Sequence, residues 1–323
     1  MVRKPGTQMM AGPYGTGFNA AQDHLCGSEH PCRIVGESPC NDGLGAIRNR
    51  PMVTTSTTEQ QNMKHDSAAL FERTAVHDVA VDIPLKQSEM VRIDATLAMI
   101  PKDVISVLDV GCGPGKLMAR IDRPVVMGTD LGRVGLKRAT KPVVRSSITR
   151  LPFADHSVDL VLCAEVLEHL PVELVAPACA ELVRVAKRYV LITVPYRENL
   201  LESSSQCPVC RHVFHLHGHQ QSMDVAKLAP HFPEVGKITV ELVWKVRPWS
   251  PLLLKLRTFS FGLWKYSPHA LCPACGNNRF ENQETHLMYR LFSGINQLLR
   301  PVRSHPHWLL FRYETAEPTA PKP

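Results

Sequence analysis

Between residues 85 and 196 the apolar positions follow two alternating periods. Leu85, Met90, Ile93, Leu97 and Ile100 recur at helical spacing and stop at Pro101, which predicts an amphipathic helix over 85–100. Short apolar runs follow at 104–110, 124–130, about 142–146, 157–163 and 189–194. The run at 157–163 is apolar on both faces, as suits a central parallel strand. Helices are predicted over 115–121 and about 171–186, the second with Pro171 near its start. Strands and helices alternating at this interval imply an α/β fold built on a parallel sheet. Further along, 222–232 reads as a short helix capped by Ser222. Residues 235–244 read as a sixth strand, and 307–313, apolar and aromatic, as a last one. Residues 1–62 show no period and include the polar run Thr54 to Asn62, so they are expected to be disordered. Met52 and Met63 are alternative starts, and 314–323, with three prolines, reads as a tail.

Charge narrows the function classes. The formal net charge is +7, with lysines and arginines scattered rather than in a run. That pattern suits a solvated surface better than a nucleic-acid track. The most lipid-like stretch, 251–264, is broken by Lys255 and Arg257, and no run approaches the roughly 18–20 apolar residues of a membrane span. The basic start Met1-Val2-Arg3-Lys4 is not followed by an apolar segment, so no secretory leader is expected and the expected location is cytoplasmic. Ten cysteines fall into three groups. Cys26, Cys32 and Cys40 lie in the aperiodic N-terminal region, and Cys112, Cys163 and Cys179 stand singly in the expected core. Cys207, Cys210, Cys272 and Cys275 form two C-x-x-C pairs, which in a chain without a leader read as metal ligands rather than disulfides.

The chemistry concentrates after the first strand. Val107-Leu108-Asp109-Val110-Gly111-Cys112-Gly113-Pro114-Gly115 is a strand that turns through three glycines spaced two apart. Missing side chains there let the backbone press against a ligand. A second strand, Val125 to Asp130, ends in the acid that holds ribose hydroxyls in doubly wound folds. The dinucleotide fingerprint G-x-G-x-x-G would need glycine at 116, where Lys116 stands, which disfavours a dinucleotide oxidoreductase. The loop instead resembles motif I, D-x-G-x-G-x-G, of the class I S-adenosylmethionine-dependent methyltransferases. Leu151-Pro152-Phe153-Ala154-Asp155-His156-Ser157-Val158-Asp159 resembles the L-P-F-x-D-x-S-F-D signature of that family's small-molecule branch. Glu165-Val166-Leu167-Glu168-His169-Leu170 resembles its E-V-L-E-H-L.

The resemblance implies a Rossmann-like, doubly wound, mostly parallel seven-stranded sheet whose reversed last strand is the 307–313 segment. It implies a methyltransferase domain over 63–313. It also implies cofactor contacts from Asp109, Gly111, Cys112, Gly113 and Gly115, from Asp130 and Leu131 toward the ribose, and from Glu165. Where the family usually places an acid for the adenine amine, this chain has Ser147, with the Ile148 backbone beside it. His169 is a candidate general base, since its ordinary pKa suits proton removal near neutrality; the other reading is that Glu168 and His169 pin the following helix. Tyr196, after strand five, is a candidate acceptor-pocket residue or a packing residue. The expected acceptor is a small molecule, lipid or glycan.

Cys207-Pro208-Val209-Cys210 and Cys272-Pro273-Ala274-Cys275-Gly276 resemble zinc knuckles, expected as insertions at about 197–220 and 267–283. Two intervening residues aim both thiolates at one ion, and four thiolates close a structural tetrahedral site. Between the pairs lie 61 residues. Closing so long a loop costs a few kcal/mol, against about 10–16 kcal/mol from structural zinc. Both pairs should emerge at the carboxyl edge of the sheet. His212, His215, His217 and His219 crowd the first pair, and any could replace a cysteine or line the substrate pocket. A different class of reading is a zinc-organised RNA- or protein-binding module without turnover, suggested by Trp244-Lys245-Val246-Arg247-Pro248-Trp249.

Overall fold

The computed structural model describes residues 85–299 and 304–315. The expectations for 1–62 and for residues 316–323 of the tail lie outside the described residues. The helices are α1 (Gln87–Ala98), α2 (Arg133–Leu136), α3 (Val172–Val185), α4 (Val225–Leu228), α5 (Pro251–Lys255) and α6 (Leu287–Leu299). The strands are β1 (Ser106–Val110), β2 (Val125–Asp130), β3 (Val143–Arg145), β4 (Val158–Ala164), β5 (Ala186–Pro195), β6 (Ser204–Gln206), β7 (Val213–His215), β8 (Lys237–Val246) and β9 (His305–Glu314).

Seven strands make one sheet in the order β3-β2-β1-β4-β5-β9-β8, and β6 and β7 form a separate two-stranded ladder. The strands from β3 through β5 pair in parallel. β9 runs antiparallel to both β5 and β8, so it is the reversed strand. The fold is therefore the Rossmann-like, doubly wound sheet that the motifs implied. Its strands carry apolar side chains to both faces. Leu108, Val161, Cys163, Val190, Ile192 and Phe311 pack with α3 residues Ala178, Leu182 and Val185 on one side. Val107, Leu160, Leu162, Leu191 and Leu310 pack with Ile100 and Met118 on the other. These side chains are fully or nearly fully buried, so truncating one such as Leu162 or Leu182 to alanine should cost about 2–5 kcal/mol.

Two expected helices are corrected. The 115–121 segment holds only a 3-10 turn, Met118–Arg120. The chain there folds tightly beneath the glycine loop, where Met118 is fully buried. The 222–232 segment is helical only over Val225–Leu228 and continues as a 3-10 turn over Ala229–His231. Its cap is Asp224, whose carboxylate accepts the Lys227 amide, not Ser222. Pro230 offers no amide to extend the helix. The sequence pattern did not reveal α5, which continues as a π-turn over Leu256–Ser260, or α6. No described helix is long and apolar enough to cross a membrane.

Strand order reverses direction at β1, which lies between β2 and β4. Connections leave β1 and β4 toward opposite sides there, opening a crevice at the carboxyl ends. The glycine loop and the Glu165–Leu170 segment flank that crevice.

Candidate functional site

Gly111, Gly113 and Gly115 have φ of 78°, 51° and 81°, a left-handed conformation in which other residues are strained. The Gly111 and Cys112 amides donate to the Thr129 carbonyl at 2.7 and 3.1 Å, tying the loop to β2. A Cβ at Gly111 would lie 2.3 Å from the Val166 side chain, so this glycine lets the loop seat against the segment after β4. At Gly113 a Cβ would meet nothing within 4 Å. The loop is therefore packed beneath and open above, the shape of a cradle. The Cys112 thiol lies against β2, where a Cβ on Gly128 would come within 2.7 Å of its sulfur, and it donates to the Gly113 carbonyl at 3.8 Å.

Two acids stand under this cradle. The Asp130 carboxylate accepts the Gly113 amide at 2.8 Å and the Gly132 amide at 2.7 Å, leaving further lone pairs on each oxygen. Leu131 is exposed, and its carbonyl accepts Arg145 Nε at 2.7 Å. Asp109 is buried within β1. Burial, reinforced by the nearby Asp130 charge and opposed by Arg92, pushes its pKa up to about 7. The Ser147 hydroxyl is 2.9 Å from the Thr149 hydroxyl, and Ile148 packs onto the sheet core.

Glu165 caps β4 with φ of 58°. Its carboxylate accepts Thr193 Oγ1 from β5 at 3.1 Å and Trp308 Nε1 from β9 at 3.0 Å, with Arg92 of α1 at 3.9 Å. Three elements thus fix one acid at the carboxyl edge. The next turn buries Glu168 and half-buries His169. Burial, with the charges of Glu165 and Glu198, holds the Glu168 pKa well above the usual carboxylate range. Burial, with His219 beside it, pulls His169 down to about 3, so its imidazole is neutral near pH 7. Tyr196 packs against the core, with the Arg197 guanidinium 5.2 Å above its ring and its amide on the His307 carbonyl at 2.8 Å.

The histidine segment folds onto that same turn. Gln220 donates its amide to the Glu168 carbonyl and its side chain to the His169 carbonyl, both at 2.8 Å. Gln221 Nε2 donates to the Leu170 carbonyl at 2.9 Å. The His169 and His219 rings meet edge to face at 4.8 Å, and His215 stacks on His219 at 4.5 Å. Glu198, which the sequence reading did not single out, sits between two of them, 2.5 Å from His219 Nδ1 and 3.4 Å from His215 Nε2. Burial alone would raise the Glu198 pKa, but the hydrogen bonds with His215 and His219 hold it below the usual carboxylate range. His212 lies apart from this group and stacks with Phe214 at 6.4 Å.

The two C-x-x-C pairs come together. Cys207 Sγ lies 3.6 Å from Cys275 Sγ, and Cys210 Sγ lies 3.5 Å from Cys272 Sγ. All four sulfurs are within 4.8 Å of one another. Tetrahedral zinc with Zn–S near 2.3 Å sets sulfurs about 3.8 Å apart, while a disulfide would need about 2.05 Å. The knuckles share one backbone design. Arg211 donates its amide to the Cys207 carbonyl as Gly276 does to that of Cys272, and both residues are left-handed, with φ of 61° and 73°. The Cys207 amide bonds the His212 carbonyl as the Cys272 amide bonds that of Asn277. Burial works against ionisation of Cys207, yet the backbone amides of Cys210 and Val209 pull its thiol down to about 6.

The aromatic and basic segment after β8 is engaged internally. Trp244 packs on the core, and Trp249 lies under the Arg257 guanidinium at 4.7 Å.

Residues 108–192 match the family model described as a methyltransferase domain. Solved structures similar to this chain include an S-adenosylmethionine-dependent methyltransferase from Archaeoglobus fulgidus, with 15% identity, 80% of this chain and 100% of that one covered, and a TM-score of 0.42. One from Mesorhizobium loti has 14% identity, 69% and 96% coverage, and a TM-score of 0.40. The YcgJ protein of Bacillus subtilis has 15% identity, 70% and 98% coverage, and a TM-score of 0.42. No curated protein matches the chain.

Proposed function

We propose that this chain transfers the methyl group of S-adenosylmethionine to a small-molecule, lipid or glycan acceptor. The observation that carries this reading is the open glycine cradle between β1 and β2, with a family match across it. The residues fit the cofactor. The open face above Gly113 leaves room for it, and Gly111 and Gly115 let the chain turn closely around it. Asp109 supplies an acid toward the cationic methionine end, Asp130 retains lone pairs for ribose hydroxyls, and Ser147 with the Ile148 backbone would meet the adenine. When bound, the cofactor supplies an electrophilic sulfonium methyl. The protein's contribution is positioning and exclusion of water rather than covalent chemistry. Glu165, fixed by Thr193 and Trp308, orients groups at the edge where the acceptor would enter. Tyr196 would form a wall of that pocket.

We further infer that Cys207, Cys210, Cys272 and Cys275 hold one structural zinc. The ion would clamp the β6–β7 ladder to the segment before α6, on the side of the molecule that carries the histidine loop.

Calorimetry with S-adenosylmethionine tests the reading. The wild-type chain is expected to bind it, and Asp130→Ala should weaken binding about tenfold or more, since charge-assisted hydrogen bonds contribute about 1.5–3 kcal/mol. Absence of binding by the wild-type chain would overturn the proposal and favour the non-catalytic binding module.

A further inference from the structure

Glu168 is 1% exposed, and neither of its carboxylate oxygens accepts a hydrogen bond from another residue. A buried acid in that state needs a proton or a cation. What surrounds it is a group of imidazoles. One donor atom from each of Glu168, His169 and His219 lies within 4.8 Å of the others. Donors bound at about 2.0–2.2 Å from one ion stand roughly 3–3.5 Å apart, a distance small side-chain rotations would reach. The hydrogen bonds behind these residues set their tautomers. His219 Nδ1 is 2.5 Å from Glu198 Oε2, so its Nδ1–H donates to the Glu198 carboxylate and its Nε2 lone pair is left for a ligand. A carboxylate behind a ligating histidine is the usual support of a protein metal site. His215 has the opposite arrangement. Its Nδ1 accepts the His217 and His219 amides at 3.3 and 3.2 Å, so its proton sits on Nε2, which faces Glu198. His215 thus steadies Glu198 and is not a ligand.

We propose that Glu168, His169 and His219 hold a divalent cation, with Glu198 orienting His219. This site is separate from the four-cysteine cluster and of different chemistry. Two imidazoles and a carboxylate leave positions open for oxygen ligands and suit a first-row divalent ion. Three segments build it: the turn after β4, the loop after β5, and the loop after β7. Gln220 and Gln221 bolt the last to the first through the backbone of 167–170. Because Val166 of the same turn packs against Gly111, the ion would sit at the edge that carries the glycine cradle. There it would take an acceptor through an oxygen atom, such as a hydroxyl beside the methylated atom. That last step rests on the methyl-transfer reading; the binding of the ion does not.

Mn²⁺ is the probe, because it favours oxygen and nitrogen over thiolate donors and so avoids the cysteine cluster. The full chain, as purified, is titrated with Mn²⁺ while the paramagnetic resonance signal of the free ion is followed. The wild-type chain should take up one Mn²⁺. Glu168→Gln and His219→Ala should each weaken uptake at least tenfold, and Glu198→Gln about ten- to a hundredfold. Without added Mn²⁺, Glu168→Gln should melt no lower than wild type, since it replaces a buried acid that has no hydrogen-bond partner with a neutral group of the same shape. Adding Mn²⁺ should raise the melting temperature of wild type but not of this variant. A wild-type chain that leaves all the Mn²⁺ signal free overturns the proposal, as does Glu168→Gln binding with wild-type affinity. Uptake of Mn²⁺ by a chain that does not bind S-adenosylmethionine in calorimetry would remove the methyl-transfer reading and leave the cation site standing.

Discussion

Asp109 is an acid inside a parallel sheet, 2% exposed, with Asp130 nearby and only Arg92 to oppose the repulsion. In the unfolded chain it ionises near its ordinary pKa of 3.8, and in the fold only near 7. A raised folded-state pKa contributes stability that is complete below about 4 and is lost as pH climbs to about 7. A shift of three units corresponds to a cost on the order of 4 kcal/mol at neutral pH. Asp109→Asn keeps the shape and removes the charge. Its melting temperature should rise relative to wild type as pH goes from 4 to 7, then hold that difference; a difference independent of pH in thermal melts would refute the assignment. At this scale the glycines and the paired cysteines were legible in the sequence from their spacing, and Asp109 and Asp130 from their places at strand ends and the family resemblance. Glu198, Gln220 and Gln221 were not. Their roles depend on a loop folding back on the turn after β4, a long-range contact with no local period to announce it.

The central strands were readable because burial on both faces leaves continuous apolar runs, and β9 because its apolar, aromatic run suits a strand, its reversal being what the family resemblance implied. The helices were less so. In α6 the apolar side chains form one broad stripe, of which Tyr289 and Phe292 are buried while Leu287, Leu291 and Leu298 along its other edge are exposed, so the pattern is wider than the face that packs. The start of α4 turned on which of two neighbouring polar residues reaches the amide. Asp224 Oδ1 accepts the Lys227 amide at 3.0 Å, and its other oxygen pairs with Arg197 Nε at 3.1 Å. Ser222 offers only its carbonyl, to Lys227 Nζ. Asp224→Ala should therefore cost about 1 kcal/mol or slightly more in urea denaturation, whereas Ser222→Ala should be nearly neutral. Equal losses from the two changes would show that both residues cap the helix.

Across the whole molecule, the sheet has its own core and the cysteine cluster does not belong to it. Cys207 and Cys272 are fully buried, while Cys210 and Cys275 are exposed, so the cluster lies at a surface where the proposed zinc would join two loops. Around it the contacts are few: Phe214 meets Phe280 at 5.8 Å, and the Lys265 amide bonds the Ser204 carbonyl at 3.2 Å. Structural zinc contributes about 10–16 kcal/mol where no preformed core does the holding. Cys272→Ser should accordingly lose about one zinc per chain by elemental analysis. Amides in 204–219 and 264–283 should then exchange with solvent much faster, while those of β1, β4 and β5 keep their protection. S-adenosylmethionine binding should persist, because Gly111, Gly113 and Asp130 are anchored to β2 and not to the knuckles. Acceptor turnover should fall, because the β6–β7 ladder carries His215 and leads directly into His219. Zinc retained after Cys272→Ser would mean that a histidine completes the site, and loss of protection throughout the sheet would mean that the cluster is part of the core after all.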